Sequence, residues 1–178
     1  MNDAPRIGLG IDVHRLAAGR RCRLGGVDIP AAVGPVGHSD GDAILHAICD
    51  ACLGAAGLDD LGTLFPDRAP ENSDRDSATF CVEVAQLLRQ QGWRVASLDV
   101  VVETQLPKLA PHRAAMRARI AELFELPAER VNLKGKTGEQ LDDPIGRGEA
   151  LRATAVSLLA ARARGELGRA LTPSAADC

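Results

Sequence analysis

Between Arg6 and His14, apolar Ile7, Leu9, Ile11 and Val13 alternate with Gly8, Gly10, Asp12 and His14, the period-two pattern of a β-strand. Cys22 to Pro30 carries two short runs around Gly25-Gly26, the dipeptide of a tight hairpin. Gly34 to Gly41 reads as a loop, and a helix is predicted from about Asp40 to Ala56 with Ser39 or Asp40 as its cap. Leu58 to Pro70, rich in Asp, Gly and Pro, reads as loop. A second helix spans about Asp74 to Gln91 and stops at Gly92. Arg94 to Gln105 is a β-branched-rich strand centred on Val100-Val101-Val102. Pro107 and Pro111 open a third helix that ends near Leu126-Pro127. Val131 to Thr137 is a short strand, Gly138 to Gly146 a loop, and Glu149 to Arg164 a final amphipathic helix whose faces are marked by Leu151, Ala155, Leu158 and Arg162. The tail from Gly165 to Cys178 is small and polar and is expected to be disordered. With no internal repeat and no linker, residues 1–164 form one α/β (α+β) domain, a layered sheet with helices packed on it.

The 178 residues are enough for a real core, and a 46% apolar, 25% charged composition is that of a soluble globular chain. A net charge of −3 argues against a general polyanion binder, and one Trp, three Phe and no Tyr argue against base stacking on single strands. Neither nucleic acid nor membrane is an expected partner, because no apolar run approaches the ~20 residues that span a bilayer. The first residues, Met1 to Arg6, lack the pattern of a secretory signal, and five cysteines do not make a disulfide framework. A cytoplasmic location is expected.

Asp12-Val13-His14 sends a carboxylate and an imidazole to one face of the first strand, two reasonable zinc ligands. In His38-Ser39-Asp40-Gly41-Asp42-Ala43-Ile44-Leu45-His46, the helical interval of four puts Asp42, His46 and Asp50 on one polar stripe beside apolar Ile44, Ile48 and Cys52. A carboxylate commonly orients a metal-bound imidazole. His46 can equally be a residue of an ordinary polar helix face, and spacing alone leaves both readings open. Cys49 and Cys52, mid-helix among small residues, read as core rather than as a metal or redox pair.

Three further segments suggest phosphate chemistry. Asp60-Leu61-Gly62 with Phe65-Pro66-Asp67 offers carboxylates on rigid turns, and Pro107-Lys108-Leu109 offers a cation at a helix start. Lys134-Gly135-Lys136-Thr137-Gly138-Glu139 combines cations, a hydroxyl, flexible backbone donors and a carboxylate, which suits a diphosphate carrying a hard cation. The spacing is not that of a Walker loop, and each segment alone can be an ordinary turn.

Taken together, Ile7 to His14, His38-Ser39-Asp40-Gly41-Asp42 through His46, Leu53-Gly54-Ala55-Ala56, Asp60-Leu61-Gly62, Leu64-Phe65-Pro66-Asp67, Pro107-Lys108-Leu109 and Gly146-Arg147-Gly148-Glu149 resemble the 2-C-methyl-D-erythritol 2,4-cyclodiphosphate synthase family. The likeness runs from about Arg6 to Ala161 with the motifs in order. It implies a mixed sheet with helices on one side, a homotrimer around a central axis, and active sites between subunits. It also implies conversion of 4-diphosphocytidyl-2-C-methyl-D-erythritol 2-phosphate to the cyclic diphosphate with release of CMP, in non-mevalonate isoprenoid synthesis.

By the same resemblance, Asp12, His14 and His46 hold zinc, and Glu139 holds magnesium or manganese. His38 and Thr137 stabilise the transition state. Ser39, Asp60 and Gly62 contact the methylerythritol phosphate, Leu61 is a further substrate contact, and Lys108, Leu109, Lys136 and Gly138 hold the cytidine diphosphate. Phe65, Pro66, Asp67 and Arg147 complete the substrate-contacting set. The family's Lys-Ala-Thr-Thr-Thr-Glu stands here as Lys134-Gly135-Lys136-Thr137-Gly138-Glu139, with two hydroxyls lost. Its Leu-Gly-Phe-Thr-Gly-Arg stands as Leu141-Asp142-Asp143-Pro144-Ile145-Gly146-Arg147, longer by one and without the Phe that lines an isoprenoid-binding axial channel. The two added carboxylates predict weak or absent isoprenoid diphosphate binding. Two rival readings are a metal-dependent phosphohydrolase and a trimeric nucleotide- or metal-binding homologue without turnover.

Overall fold

The first strand, β1 (Arg6–Ala18), turns its glycines and not its aliphatic side chains toward the core. A computed structural model describes residues 4–37, 39–66, 69, 72 and 75–162, so the tail expected to be disordered lies outside the described residues. The elements that follow are β2 (Arg23–Leu24), β3 (Val27–Asp28), β4 (Val33–Val36), α1 (Ala43–Ala56), α2 (Leu61–Leu64) and α3 (Ser77–Gln90). Next come β5 (Trp93–Thr104), a 3-10 turn at Ala110–His112, α4 (Arg113–Leu123), β6 (Val131–Lys136) and β7 (Ala150–Ala161). Five strands form one mixed sheet in the order β4-β1-β7-β5-β6, in which only the β5–β6 pair is parallel. The short β2–β3 hairpin turns at Gly25-Gly26, both at positive φ.

Within the segment predicted as the final helix, Glu149 to Arg164, the described residues Ala150–Ala161 form strand β7 and not a helix. In β7 the buried row Leu151, Ala153, Ala155, Ser157 and Leu159 alternates with exposed Arg152 and Val156, a period of two. Ala, Leu and Arg favour helix locally, but this segment lies between β1 and β5 and bonds to both, and that tertiary pairing overrides propensity. Four smaller differences have local causes. Within the expected Gly34–Gly41 loop, Val33–Val36 pairs with β1 as an edge strand that tolerates Pro35. Asp42, and neither Ser39 nor Asp40, caps α1. The Leu58–Pro70 loop contains α2, capped by Asp60, whose side chain accepts from Thr63 N at 2.7 Å. The second and third helices are shorter than expected, because Asp76 caps one at Ser77 and the other begins with a 3-10 turn and ends at Leu123.

α1 is buried almost all round, between the sheet and α3. Its small residues permit very close approach to β1. A Cβ at Gly8 would stand 1.9 Å from the Ala51 carbonyl oxygen, and one at Gly10 would stand 2.1 Å from that of Ala47. Only glycine fits either position. Cys49 and Cys52 are fully buried in this layer, with the Cys49 thiol 3.6 Å from that of Cys81. On the opposite sheet face, Ile7 (74% exposed), Leu9 (60%), Ile11 (54%), Val13 (54%) and Val156 (41%) form an uncovered apolar row. Toward β6 that face turns polar, with Lys134 Nζ 2.6 Å from Asp99 and Arg152 3.4 Å from Glu103.

Candidate metal centre and active site

The glycine row of β1 continues into Asp12 and His14 on the same face, directly opposite α1. Because α1 rests so close to the strand, His46 on its first turns meets both. The ligand-capable atoms of Asp12, His14 and His46 lie within 4.8 Å of one another. Among the described residues no other set of three His, Cys, Asp or Glu side chains converges in this way. One carboxylate oxygen, Asp12 Oδ2, is 2.9 Å from His14 Nδ1 and 3.2 Å from His46 Nδ1. The His14 contact is close but poorly aligned, so its buried Nδ1 has no hydrogen-bond partner, as expected of a nitrogen shaped for a metal. One carboxylate and two imidazoles are a donor set that suits zinc and leaves a fourth position for substrate.

Burial alone would push the Asp12 carboxyl up, but the His14 and His46 rings outweigh it and hold the group well below the ordinary carboxylate range. His46 is the mirror case: burial would lower it, and hydrogen bonding to Asp12 together with nearby carboxylates raises it. The anionic oxygen and its two ring partners thus stabilise one another in a half-buried setting.

The stripe expected from Asp42, His46 and Asp50 divides in two. Asp42 points away from the site and is fully buried, accepting from Gly25 N at 2.8 Å, Gly26 N at 2.6 Å and Leu45 N at 3.1 Å. It ties the hairpin turn to the start of α1, and burial pushes its carboxyl up to about 6. Asp50 faces the site and accepts from Leu61 N at 2.8 Å, anchoring α2 at the rim.

The three ligand candidates open into a cavity of about 550 Å³ whose wall includes Ser39, Asp50, Leu61, Gly62, Phe65, Asn72 and Phe80. Asp60 is exposed at the head of α2, and the Pro66 carbonyl accepts from Asn72 Nδ2 at 3.0 Å. His38 and Asp67 lie outside the described residues. A second cavity of about 220 Å³ lies beyond β5 and includes Lys108, Leu109, Lys136 and Thr137. Thr137 Oγ1 donates to Glu139 Oε1 at 2.7 Å, and Glu139 is exposed with its backbone in the left-handed region. Gly138 is packed so closely on Gly146 that a Cβ would stand at 2.5 Å, which accounts for the small residue at this point of the loop. Arg147 is engaged by Asp142 at 2.7 Å and by Glu149 at 3.1 Å.

The two cavities are not neighbours. Because β7 and β5 separate β1 from β6, they stand about three strand spacings apart, roughly 14 Å. Within one chain, Thr137 and Glu139 therefore do not reach the Asp12–His14–His46 cluster. Of the two residues behind His46, Asp40 lies inside the His38–His46 motif but reads there only as a candidate helix cap, and Ser77 carries no motif that singles it out. For Ser77 the signal is the Asp76-Ser77 cap sequence, which reads as a helix start.

A profile of the YgbB family matches residues 5–160. A 2-C-methyl-D-erythritol 2,4-cyclodiphosphate synthase from Chromobacterium violaceum is 54% identical over 155 residues, 87% of this chain and 98% of its own. A solved 2C-methyl-D-erythritol-2,4-cyclodiphosphate synthase in its CDP-bound form superposes with a TM-score of 0.80 at 42% identity, covering 86% of this chain and 99% of the other. The IspF–CDP complex from Plasmodium falciparum also gives 0.80, at 32% identity over 92% of this chain and all of the other.

Proposed function

This chain belongs to the YgbB family, and from that premise we infer that it performs the reaction its relatives are named for, the synthesis of 2-C-methyl-D-erythritol 2,4-cyclodiphosphate. It is a lyase of non-mevalonate isoprenoid synthesis. The observation that carries the chemistry is the closure of Asp12, His14 and His46 within 4.8 Å at the floor of a cavity.

The substrate is 4-diphosphocytidyl-2-C-methyl-D-erythritol 2-phosphate. An oxygen of its 2-phosphate bonds to the β-phosphorus, the bond from that phosphorus to the bridging oxygen breaks, and CMP departs with that oxygen. The nucleophile is already anionic at neutral pH, so no general base is required. What the protein must do is fold a flexible polyanion back on itself and offset its charge. Positioning of this kind is worth ~7–11 kcal/mol in favourable cases. Asp12, His14 and His46 hold zinc, and Glu139 holds magnesium or manganese beside the diphosphate. These ions, when bound, supply Lewis acidity to the phosphoryl oxygens. Ser39, Asp60, Leu61, Gly62, Phe65, Pro66 and Asp67 orient the methylerythritol phosphate. Lys108, Leu109, Lys136 and Gly138 take the cytidine diphosphate, with His38 and Thr137 donating to the charge that develops in transfer. The relatives captured with CDP support a cytidine nucleotide as the partner.

The active chain is a homotrimer with its sites between subunits. Two observations support this: the apolar row on β1 and β7 is uncovered, and the two cavities are too far apart to serve one substrate within a chain. Packing the sheet faces together around an axis covers the row, and the Thr137–Glu139 loop of one copy then serves the His46 side of the next. A native mass of three chains is expected; a monomer with full activity contradicts it.

Product analysis tests the reaction. Cyclic diphosphate and CMP in equal amounts are expected, with both lost in His46→Ala along with bound zinc. Release of inorganic phosphate would favour a hydrolase, and zinc binding without turnover a binding homologue.

A further inference from the structure

His46 faces Asp12 through Nδ1 and is held from behind through Nε2. The Ser77 hydroxyl oxygen is 2.8 Å from Nε2, and the Ser39 hydroxyl is a more distant neighbour at 3.3 Å. Ser77 is fully buried at the first turn of α3, and its hydroxyl donates in a short hydrogen bond to Asp40 Oδ1. Asp40 accepts from Ser77 N at Oδ2 (3.1 Å) and from Asp42 N at Oδ1 (3.2 Å), and the Arg23 guanidinium forms an ion pair with it at 3.5 Å without a hydrogen bond from Nε. Neither Ser77 nor Asp40 lines the cavity that holds the ligand candidates.

The direction of these bonds fixes a proton. A carboxylate only accepts, so the single Ser77 proton goes to Asp40. The Ser77 oxygen must then accept from the ring, which requires the imidazole proton on Nε2. In the neutral ring that leaves the Nδ1 lone pair aimed at the point where Asp12 and His14 converge; the 3.2 Å contact with Asp12 Oδ2 is a hydrogen bond only when the ring carries both protons. With the opposite tautomer, an N–H would point into the metal position and block it.

We propose that Asp40 and Ser77 are positioning residues that act through His46, fixing its proton on Nε2 so that Nδ1 serves as a metal ligand. This rests on the reading of Asp12, His14 and His46 as zinc ligands. Asp40 does so from the loop before α1 while also binding the start of α3, so one carboxylate sets both the tautomer of the ligand and the seat of the helix behind it. Orienting partners of metal-bound histidines typically change affinity 10–100-fold when removed.

The isosteric Asp40→Asn variant makes the sharpest test. Its one oxygen and one NH2 must face the Ser77 backbone N–H and hydroxyl. With the oxygen kept on the Ser77 backbone N–H and toward Arg23, the NH2 takes the Oδ1 position, gives up the long Asp42 N–H contact and donates to the Ser77 oxygen, and the hydroxyl proton turns to His46 Nε2. The tautomer is thereby reversed in an unchanged shape.

Zinc affinity is read by competition with a chromogenic chelator, and the His46 proton by long-range nitrogen–proton correlation on zinc-free protein at pH 8. The parent is expected to bind zinc and to carry its proton on Nε2. Asp40→Asn and Ser77→Ala are expected to bind zinc 10–100-fold more weakly, with the proton of Asp40→Asn shifted to Nδ1. Asp76→Ala removes the α3 cap, which accepts from Ala78 N at 2.8 Å and from Arg23 Nη2 at 2.9 Å, without touching His46. It is expected to lower the melting temperature yet keep zinc affinity within about threefold, since neither the cap nor the Arg23 pair reaches the imidazole and the Ser77–Asp40 bond stays in place. Equal zinc affinity in the parent, Asp40→Asn and Ser77→Ala overturns the proposal, as does an Nδ1 proton in the parent. A parent that binds no zinc overturns the metal reading itself, and this proposal with it. Should Ser77→Ala fail to fold, Asp40→Asn and the parent's tautomer still decide.

Discussion

Replacing Gly10 with alanine adds one methyl group where the strand and α1 meet. That Cβ would stand 2.1 Å from the Ala47 carbonyl oxygen and 2.6 Å from Ala51 N, whereas real contacts stay above 3.0 Å. Both obstacles are helix backbone, which cannot rotate aside as a side chain can. α1 must therefore retreat by roughly 1 Å, at an overpacking cost of about 1–3 kcal/mol. His46 adjoins Ala47 and moves with it, away from Asp12 and His14, whose tolerance as ligands is about 0.2 Å. We expect zinc affinity to fall by roughly 10–100-fold in chelator competition, and the melting temperature to fall by several degrees. Gly54→Ala, in the same helix but with open space around its added Cβ, is the control: it is expected to gain roughly 0.5–1 kcal/mol and to keep its zinc. Parental zinc affinity in Gly10→Ala would refute the claim that close strand–helix packing assembles the site.

Asp42 gives a pH test away from the metal. Its buried carboxyl sits at about 6 against an ordinary 3.8, so between those values the folded chain keeps a proton that the unfolded chain has released. Its contribution to stability is thus greatest below pH 4 and declines as pH rises through 6, by at most ~3 kcal/mol. In urea melts, the parent's advantage over Asp42→Asn should shrink between pH 4 and 7; a constant difference contradicts this. Arg147 gives a binding test. With its guanidinium engaged by Asp142 and Glu149, titration with geranyl diphosphate should give no micromolar affinity, and finding such affinity would overturn the reading of the altered loop.

Much of the arrangement is legible in the chain because local chemistry and fold agree there. Asp12 and His14 share a face by strand periodicity, and Gly25-Gly26 marks its hairpin without help from the rest of the molecule. Where tertiary contacts decide, local rules fail. Ala150 to Ala161 is built from helix-favouring residues, yet it is the strand between β1 and β5. Asp42 follows the helical interval of His46 and Asp50, but the backbone N–H groups of the hairpin, distant in sequence, draw it out of the site. Ser77 escapes notice, and Asp40 reads as no more than a cap within its motif, because a hydroxyl and a carboxylate at helix starts look like caps until the folded chain brings them behind an imidazole.

The most direct measurement is anomalous diffraction at the zinc edge from crystals of the intact protein grown with zinc. One peak per chain is expected, bonded to Asp12, His14 and His46 Nδ1, with Nε2 of that ring still facing Ser77. A fully occupied ion elsewhere, with these three side chains left bare in an active preparation, would contradict the proposed centre.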